Sequence, residues 1–270
     1  MVVGDVKIIA SDRTDTIVTV HPTDKSKKDD IQAAEQTTVD LVAGNLTVKA
    51  PRGWRIYTPF GGSASIDVTV EAPAGSQLRG SGSVARFLAT GELGQCDIKA
   101  SVGDIQLDKA GPLDLRTSGG NITVDEVVSR ANISTSTGIV RIREIDGSAV
   151  IKNSNGDSVI REAAGDLQIS AANGNITVER PQGSVNAKTA NGNIRIGDAT
   201  RGTVQLQTSV GEVEIGIHPG TAAWLDVSAR HGSVQNLMAT VEAPEDTSET
   251  VQVYARNAFG NIIIRHATAV

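Results

Sequence analysis

The residues of this 270-residue chain that could do chemistry recur in one row: Glu126, Arg143, Glu144, Arg161, Glu162, Glu179 and Arg180. Carboxylates brought together on neighbouring strands can serve as general acid and base on a glycosidic bond. Alternating Glu and Arg also describes a solvated face laced by cross-strand ion pairs. The regular spacing around the row leaves no long loops to wall a cleft, which favours the second reading, and no catalytic residue is assigned. His21, His218, His231 and His266 lie far apart in sequence, with no ligand-spaced pair among them. No Gly-x-Ser-x-Gly elbow is present. The Gly-Asp-Ile and Gly-Asn-Ile segments echo calcium-binding β-roll repeats, but those use shorter units dense in Asp. Here the column is mostly Asn, interrupted by Ile139 and Glu212, and neutral amides are poor calcium ligands. No metal and no cofactor are expected.

A second candidate is the segment Pro51–Gly62, which holds three of the seven aromatic residues and two arginines, and no acid. Arg52, Trp54, Arg55 and Tyr57 would suit a partner-binding surface. The competing reading is that the aromatics cover an open end of the fold.

The elements that must carry these residues are set by a repeat. Ala172-Asn-Gly-Asn-Ile-Thr-Val178 is rewritten as Ala190-Asn-Gly-Asn-Ile-Arg-Ile196 and foreshadowed by Ser154-Asn-Gly-Asp-Ser-Val-Ile160. The step from Gly156 to Gly174 to Gly192 is 18 residues each time. Gly103, Gly120, Gly138 and Gly211 extend that series, and Gly147, Gly165, Gly183 and Gly202 run half a period out of phase. Each unit therefore has two turns and two short strands. Leu167 and Ile169, then Ile176 and Val178, alternate as inward rows of such strands, and so do their counterparts. A small residue follows before each turn glycine: Thr117, Thr135, Asn153, Ala171, Thr189 and Thr208, at an inward corner too tight for more. Gly supplies the turn geometry, and Asn121, Asp157, Asn175, Asn193 and Asn261 form a stacked turn ladder beside it.

Two architectures fit. A parallel β-solenoid, or β-helix, makes each unit of about 18 residues one coil, whereas an antiparallel meander or sandwich makes it a hairpin. The near-constant period favours the solenoid, because stacked coils penalise changes of length. Residues 1–75 read as a strand-rich N-terminal cap, 76–236 as regular coils, and 237–270 as an acidic loop with a terminal repeat, all in one continuous domain. Within the cap, Val6–Ile8 with Ile17–Val20 and Val39–Leu41 with Leu46–Val48 read as two strand pairs, and residues 31–36 as a short helix.

Composition bounds the rest. Hydrophobic residues are 39% but aromatics only 3%, so the interior is thin and filled with aliphatic side chains. The formal charge of -6 argues against a nucleic-acid partner. Cys96 is the only cysteine, which excludes an intrachain disulfide. With no signal peptide and no membrane span in the sequence, a cytoplasmic location is expected, although Gly4-Asp5-Val6 reads like the middle of a repeat and hints at a truncated start.

On Gly103-Asp-Ile-Gln-Leu107, Gly120-Asn-Ile-Thr-Val124, Asn153-Ser-Asn-Gly-Asp157, Ala172-Asn-Gly-Asn-Ile176, Ala10-Ser-Asp-Arg-Thr-Asp15 and Ala50-Pro-Arg-Gly-Trp54, the chain resembles the bacterial "putative adhesin" family of strand-repeat proteins, in particular its actinobacterial members. The resemblance spans nearly the whole length. It implies a β-solenoid-like fold and an adhesive role, and it brings no catalytic residues. The expectation is a non-catalytic, adhesin-like scaffold or interaction module for an unknown protein partner. Alternatives are a self-associating structural protein resembling the cytoskeletal bactofilins and, third, a glycan-active β-helix enzyme.

Overall fold

A computed structural model describes residues 2–51, 64–238 and 249–267. The N-terminal region contains β1 (Val2–Ser11), β2 (Ile17–Pro22), α1 (Lys28–Glu35), β3 (Thr38–Val42), β4 (Asn45–Lys49) and β5 (Ala64–Pro73). A 16-residue strand, β6 (Leu78–Leu93), leads into the coils. These are β7 (Cys96–Val102) with β8 (Ile105–Ala110), β9 (Leu113–Gly119) with β10 (Ile122–Val127), and β11 (Ala131–Thr137) with β12 (Val140–Ile145). Next come β13 (Ala149–Asn155) with β14 (Ser158–Ala163), β15 (Leu167–Asn173) with β16 (Ile176–Pro181), and β17 (Val185–Asn191) with β18 (Ile194–Ala199). The last three are β19 (Gly202–Val210) with β20 (Val213–Ile217), β21 (Ala222–His231) with β22 (Val234–Asn236), and β23 (Thr250–Phe259) with β24 (Ile262–His266).

From β7 onward every strand pairs in parallel with the equivalent strand of the next coil, so odd-numbered strands build one face and even-numbered strands the other. Parallel register excludes the antiparallel meander: the fold is a parallel β-solenoid with two strands per coil. Its core is a set of aliphatic columns, for example Leu115, Ile133, Ile151, Ile169, Ala187 and Leu206 from the odd face and Ile122, Val140, Ile176, Ile194 and Val213 from the even face, all buried. Each buried Ile or Val contributes about 1.5–3 kcal/mol. Along even strands the alternation breaks once: Asp125 and Glu126 both point outward before Val127 turns in, so these strands bend there.

Both ends depart from chain order. At the first end β1 is inserted between β5 and β6, in parallel with both, and β2 closes the even face as an antiparallel edge on β5. The sequence reading that β1 and β2 pair with each other is therefore corrected: alternation identifies each strand, but the partner of both is β5. The other expected pair forms, as an antiparallel β3–β4 hairpin. Helix α1 lays Ala33 against Ile66 and Val68 of β5. Its buried Asp30 accepts hydrogen bonds from the Ser65 and Asp24 backbone N–H groups at 2.9 and 3.2 Å and lies 3.4 Å from Lys27 Nζ.

At the second end the last strands in sequence are not last in space. β23 lies between β19 and β21, and β24 lies between β20 and β22. The coil 250–266 is thus inserted beneath the coil 222–236, which becomes the outermost one.

Candidate functional site

The glycine corner explains why the coils keep one length. Gly103, Gly120, Gly138, Gly156, Gly174, Gly192, Gly211 and Gly260 all carry φ between +131° and +149°. A Cβ on any of the last seven would lie 2.0–2.2 Å from the carbonyl oxygen of the glycine one coil below. Only glycine combines that backbone with that approach. Beside it, Asp157 Oδ1 accepts from the Asn175 N–H, Asn175 Oδ1 from Asn193, and Asn193 Oδ1 from Glu212, at 2.8–2.9 Å. Asn121 Oδ1 accepts from the Ile139 N–H at 3.0 Å, and there the relay stops because Ile139 has no acceptor to pass on. On the inward side, Asn153, Thr208 and Asn257 donate to the glycine carbonyls of Gly138, Gly192 and Gly211 at 2.7–3.0 Å. The glycine carbonyls are served by their own chain, while Thr135 Oγ1, Asn153 Oδ1 and Asn257 Oδ1 are buried without a partner.

The row considered for acid–base work lies on the even face. Glu126, Glu144, Glu162 and Arg180 occupy one register column. Lys109 bonds Glu126 at 2.9 Å, Arg143 bonds Asp125 at 2.5 Å and Glu144 at 2.7 Å, Arg161 lies 3.7 Å from Glu179, and Arg180 pairs with Glu162. The Arg143 hydrogen bond holds the Asp125 carboxyl below its usual range. Charges are spent on each other, and the groove beside them, lined by Gln106, Thr123, Asp125, Arg141, Arg143 and Arg161, is open and about 400 Å³.

Other sequence candidates are dispersed. Arg52, Trp54, Arg55 and Tyr57 lie outside the described residues. His218 Nδ1 is 3.0 Å from Asp198, and His231 stacks on Phe259 with centroids 4.7 Å apart. Among the described residues no group of three metal-ligating side chains occurs. A larger cavity of about 780 Å³ opens at the first end, between the β3–β4 hairpin and β1, β5 and β6, with Val6, Ile66, Leu78 and Phe87 among its lining.

The odd face is built differently. None of β11, β13, β15, β17 and β19 contains an Asp or Glu. Their outward positions carry Asn132, Val150, Gln168, Asn186 and Gln205 in one column and Ser134, Lys152, Ser170, Lys188 and Gln207 in the next. At the adjoining corner, Asn173 Nδ2 donates to Asn155 Oδ1 and Asn191 Nδ2 to Asn173 Oδ1, at 2.8 and 2.9 Å. Lys152 and Lys188 are exposed and have no carboxylate partner among the described residues. At the far end of this face the half-exposed Trp224 packs on Tyr254, centroids 5.2 Å apart. Sequence reasoning missed this surface because it searched for reactive groups, and the surface is notable for the carboxylates it lacks.

Fold and surfaces together define a rigid solenoid whose conspicuous site is a flat face rather than a cleft. The chain belongs to the Toastrack DUF4097 family, whose model matches residues 3–262. No curated protein matches it. Among solved structures it matches a "putative cell adhesion protein" from Clostridium sporogenes at 11% identity, covering 98% of this chain and 89% of that one, with a TM-score of 0.20.

Proposed function

We propose that the protein is a non-catalytic, adhesin-like scaffold that holds an extended partner along its odd-numbered face. The observation that carries this is the contrast between its two faces. On the even face, Lys109, Arg143, Arg161, Arg180, Arg195 and Arg265 are matched to carboxylates on the neighbouring coil, and Arg141 is the cation there without such a pair among the described residues. On the odd face, in a chain of net charge -6, five successive strands carry lysine, amide and hydroxyl groups and no acid. Unmatched charge over a flat, preorganised lattice is what a binding surface keeps available for a partner. Self-pairing of the even-face carboxylates and the open groove beside them speak for binding over catalysis.

The experiment is an affinity capture from native extract with three baits: the wild type, Lys152→Glu/Lys188→Glu, and an even-face control, Arg161→Gln/Arg195→Gln. Loss of the captured partner with the first variant and retention with the second is expected. Equal capture by all three baits would overturn the reading.

A further inference from the structure

The charge on the odd face has a period. In register order, the column that contains Lys152 reads Lys99, Arg116, Ser134, Lys152, Ser170, Lys188, Gln207, Arg256, Ser228. From Arg116 onward a cation occurs at every second coil with a small or neutral polar residue between, while Lys99, on the coil before Arg116, stands outside the alternation. Adjacent parallel strands lie about 4.8 Å apart, so successive cations are about 9.6 Å apart along a line of about 29 Å. Chain order alone would not produce this: Ser228 precedes Arg256 in sequence, and only insertion of the coil 250–266 sets Arg256 two coils beyond Lys188.

The members differ in how they are held. Arg116 is bonded to Asp114 at 2.9 Å and Arg256 to Asp226 at 2.8 Å, whereas Lys152 and Lys188 between them have no such partner. Flanking columns are short and uncharged along the middle coils: Asn132, Val150, Gln168, Asn186 and Gln205 on one side, Ser136, Ser154, Ala172 and Ala190 on the other. Nothing bulky interrupts the strip before the Trp224–Tyr254 pair, whose apolar ring faces suit the apolar face of a sugar ring.

We infer that this strip binds a linear acidic polysaccharide that carries one anionic group on every second sugar, laid along the solenoid axis. One sugar of an extended chain advances about as far as one coil, so its carboxylates meet the alternate cations while its hydroxyls face the Ser and amide positions. A polymer charged on every sugar would set half its anions over Ser134, Ser170 and Gln207. The inference rests on the proposed scaffold function and adds the ligand class to it.

The test is direct binding of the full chain, by calorimetry at low and at physiological salt, to hyaluronan (one carboxylate per disaccharide), polygalacturonate (one per sugar), neutral dextran and polyphosphate. Hyaluronan should bind best, dextran should not bind, and Lys152→Gln/Lys188→Gln should weaken hyaluronan binding about ten-fold, the effect of two exposed charge pairs. Ser134→Lys/Ser170→Lys, which puts a cation on every coil of the strip's middle, should shift preference toward polygalacturonate. Equal binding of all polyanions, preference for polyphosphate, or indifference of hyaluronan to the lysine variant would overturn the polysaccharide inference. If no polysaccharide binds but native capture still depends on Lys152 and Lys188, the inference fails and the scaffold reading stands. If capture too is indifferent to them, both fail.

Discussion

Gly260 stacks directly on Gly211, although the coil carrying Gly232 lies between them in sequence. A Cβ on Gly260 would sit 2.0 Å from the Gly211 carbonyl oxygen, and one on Gly232 would sit 2.0 Å from that of Gly260. The glycine column therefore records the spatial order of the coils, 211, 260, 232, independently of the strand pairings that give the same order.

The column should be intolerant of any side chain. Gly174→Ala places a Cβ 2.1 Å from the Gly156 carbonyl at φ +144°, and is expected to cost about 3–5 kcal/mol. Gly220→Ala, at φ +87° with nothing within 4 Å, should cost only about 1–2 kcal/mol for the backbone strain. Guanidinium midpoints of the two variants, measured side by side, separate collision from conformation. Equal shifts would contradict the packing argument.

At Asn153 the inward corner is held by a donor. Asn153 Nδ2 serves the carbonyls of Gly138, Gly156 and Asp157 at 2.9–3.2 Å. Asn153→Ala is expected to destabilise by about 1–3 kcal/mol, the cost of leaving buried carbonyls unpaired. Asn153→Thr should recover part of this, since Thr208 reaches the equivalent Gly192 carbonyl at 2.9 Å. A denaturation series in which Ala and Thr behave alike would exclude hydrogen bonding as the reason.

Insertion of the last coil can be read chemically. Gln207 and Arg256 are register partners, and so are Arg256 and Ser228. A Gln207→Cys/Arg256→Cys protein should form a disulfide under mild oxidation, because adjacent strands place the Cα atoms within bridging range. Gln207→Cys/Ser228→Cys, two strands apart, should not. Mass spectrometry of the oxidised proteins decides between this order and simple chain order, which would reverse the result.

Cys96 should be inert while the protein is folded. It is fully buried, and loss of hydration pushes its thiol up to about 11. Thiol reagents at pH 8 are expected to label it only in denaturant. The sign with pH follows: the folded state holds the neutral thiol, while the unfolded chain ionises it from about pH 9 upward. Between about pH 9 and 11 this group's contribution falls by up to roughly 1.4 kcal/mol per unit. Stability measured at pH 8 and pH 10 should therefore drop more in the wild type than in Cys96→Ala; parallel changes would refute the assignment.

Much of the coil could be read without coordinates, because its constraints are local. A glycine with positive φ, an aliphatic pair alternating on each strand and a small corner residue recur at fixed separations, and Gly156, Gly174 and Gly192 expose the period directly. Pairing at the ends is non-local, and nothing within Val6–Ile8 states that its neighbours are Ala64–Pro73 and the middle of Leu78–Leu93. The same limit hid the alternating cations. Arg116, Lys152 and Lys188 are evenly spaced in sequence, but Arg256 joins them only through a connection that skips a coil. The chemistry-bearing row was found easily and misdirected attention, since side-chain type is visible in sequence and mutual neutralisation is not.

The inserted coil also bears on how the protein is made. A stack built in chain order could grow on the ribosome, each coil settling on the one before it. Here residues 222–236 are synthesised before the strands that must lie beneath them, so their final seat does not exist until Thr250–His266 has emerged. The first strand poses the mirror problem, because Val2–Ser11 must wait for both Ala64–Pro73 and Leu78–Leu93. Only the central coils can fold vectorially; the two ends are closed afterwards, and the protein is committed to a finished form only when its chain is complete.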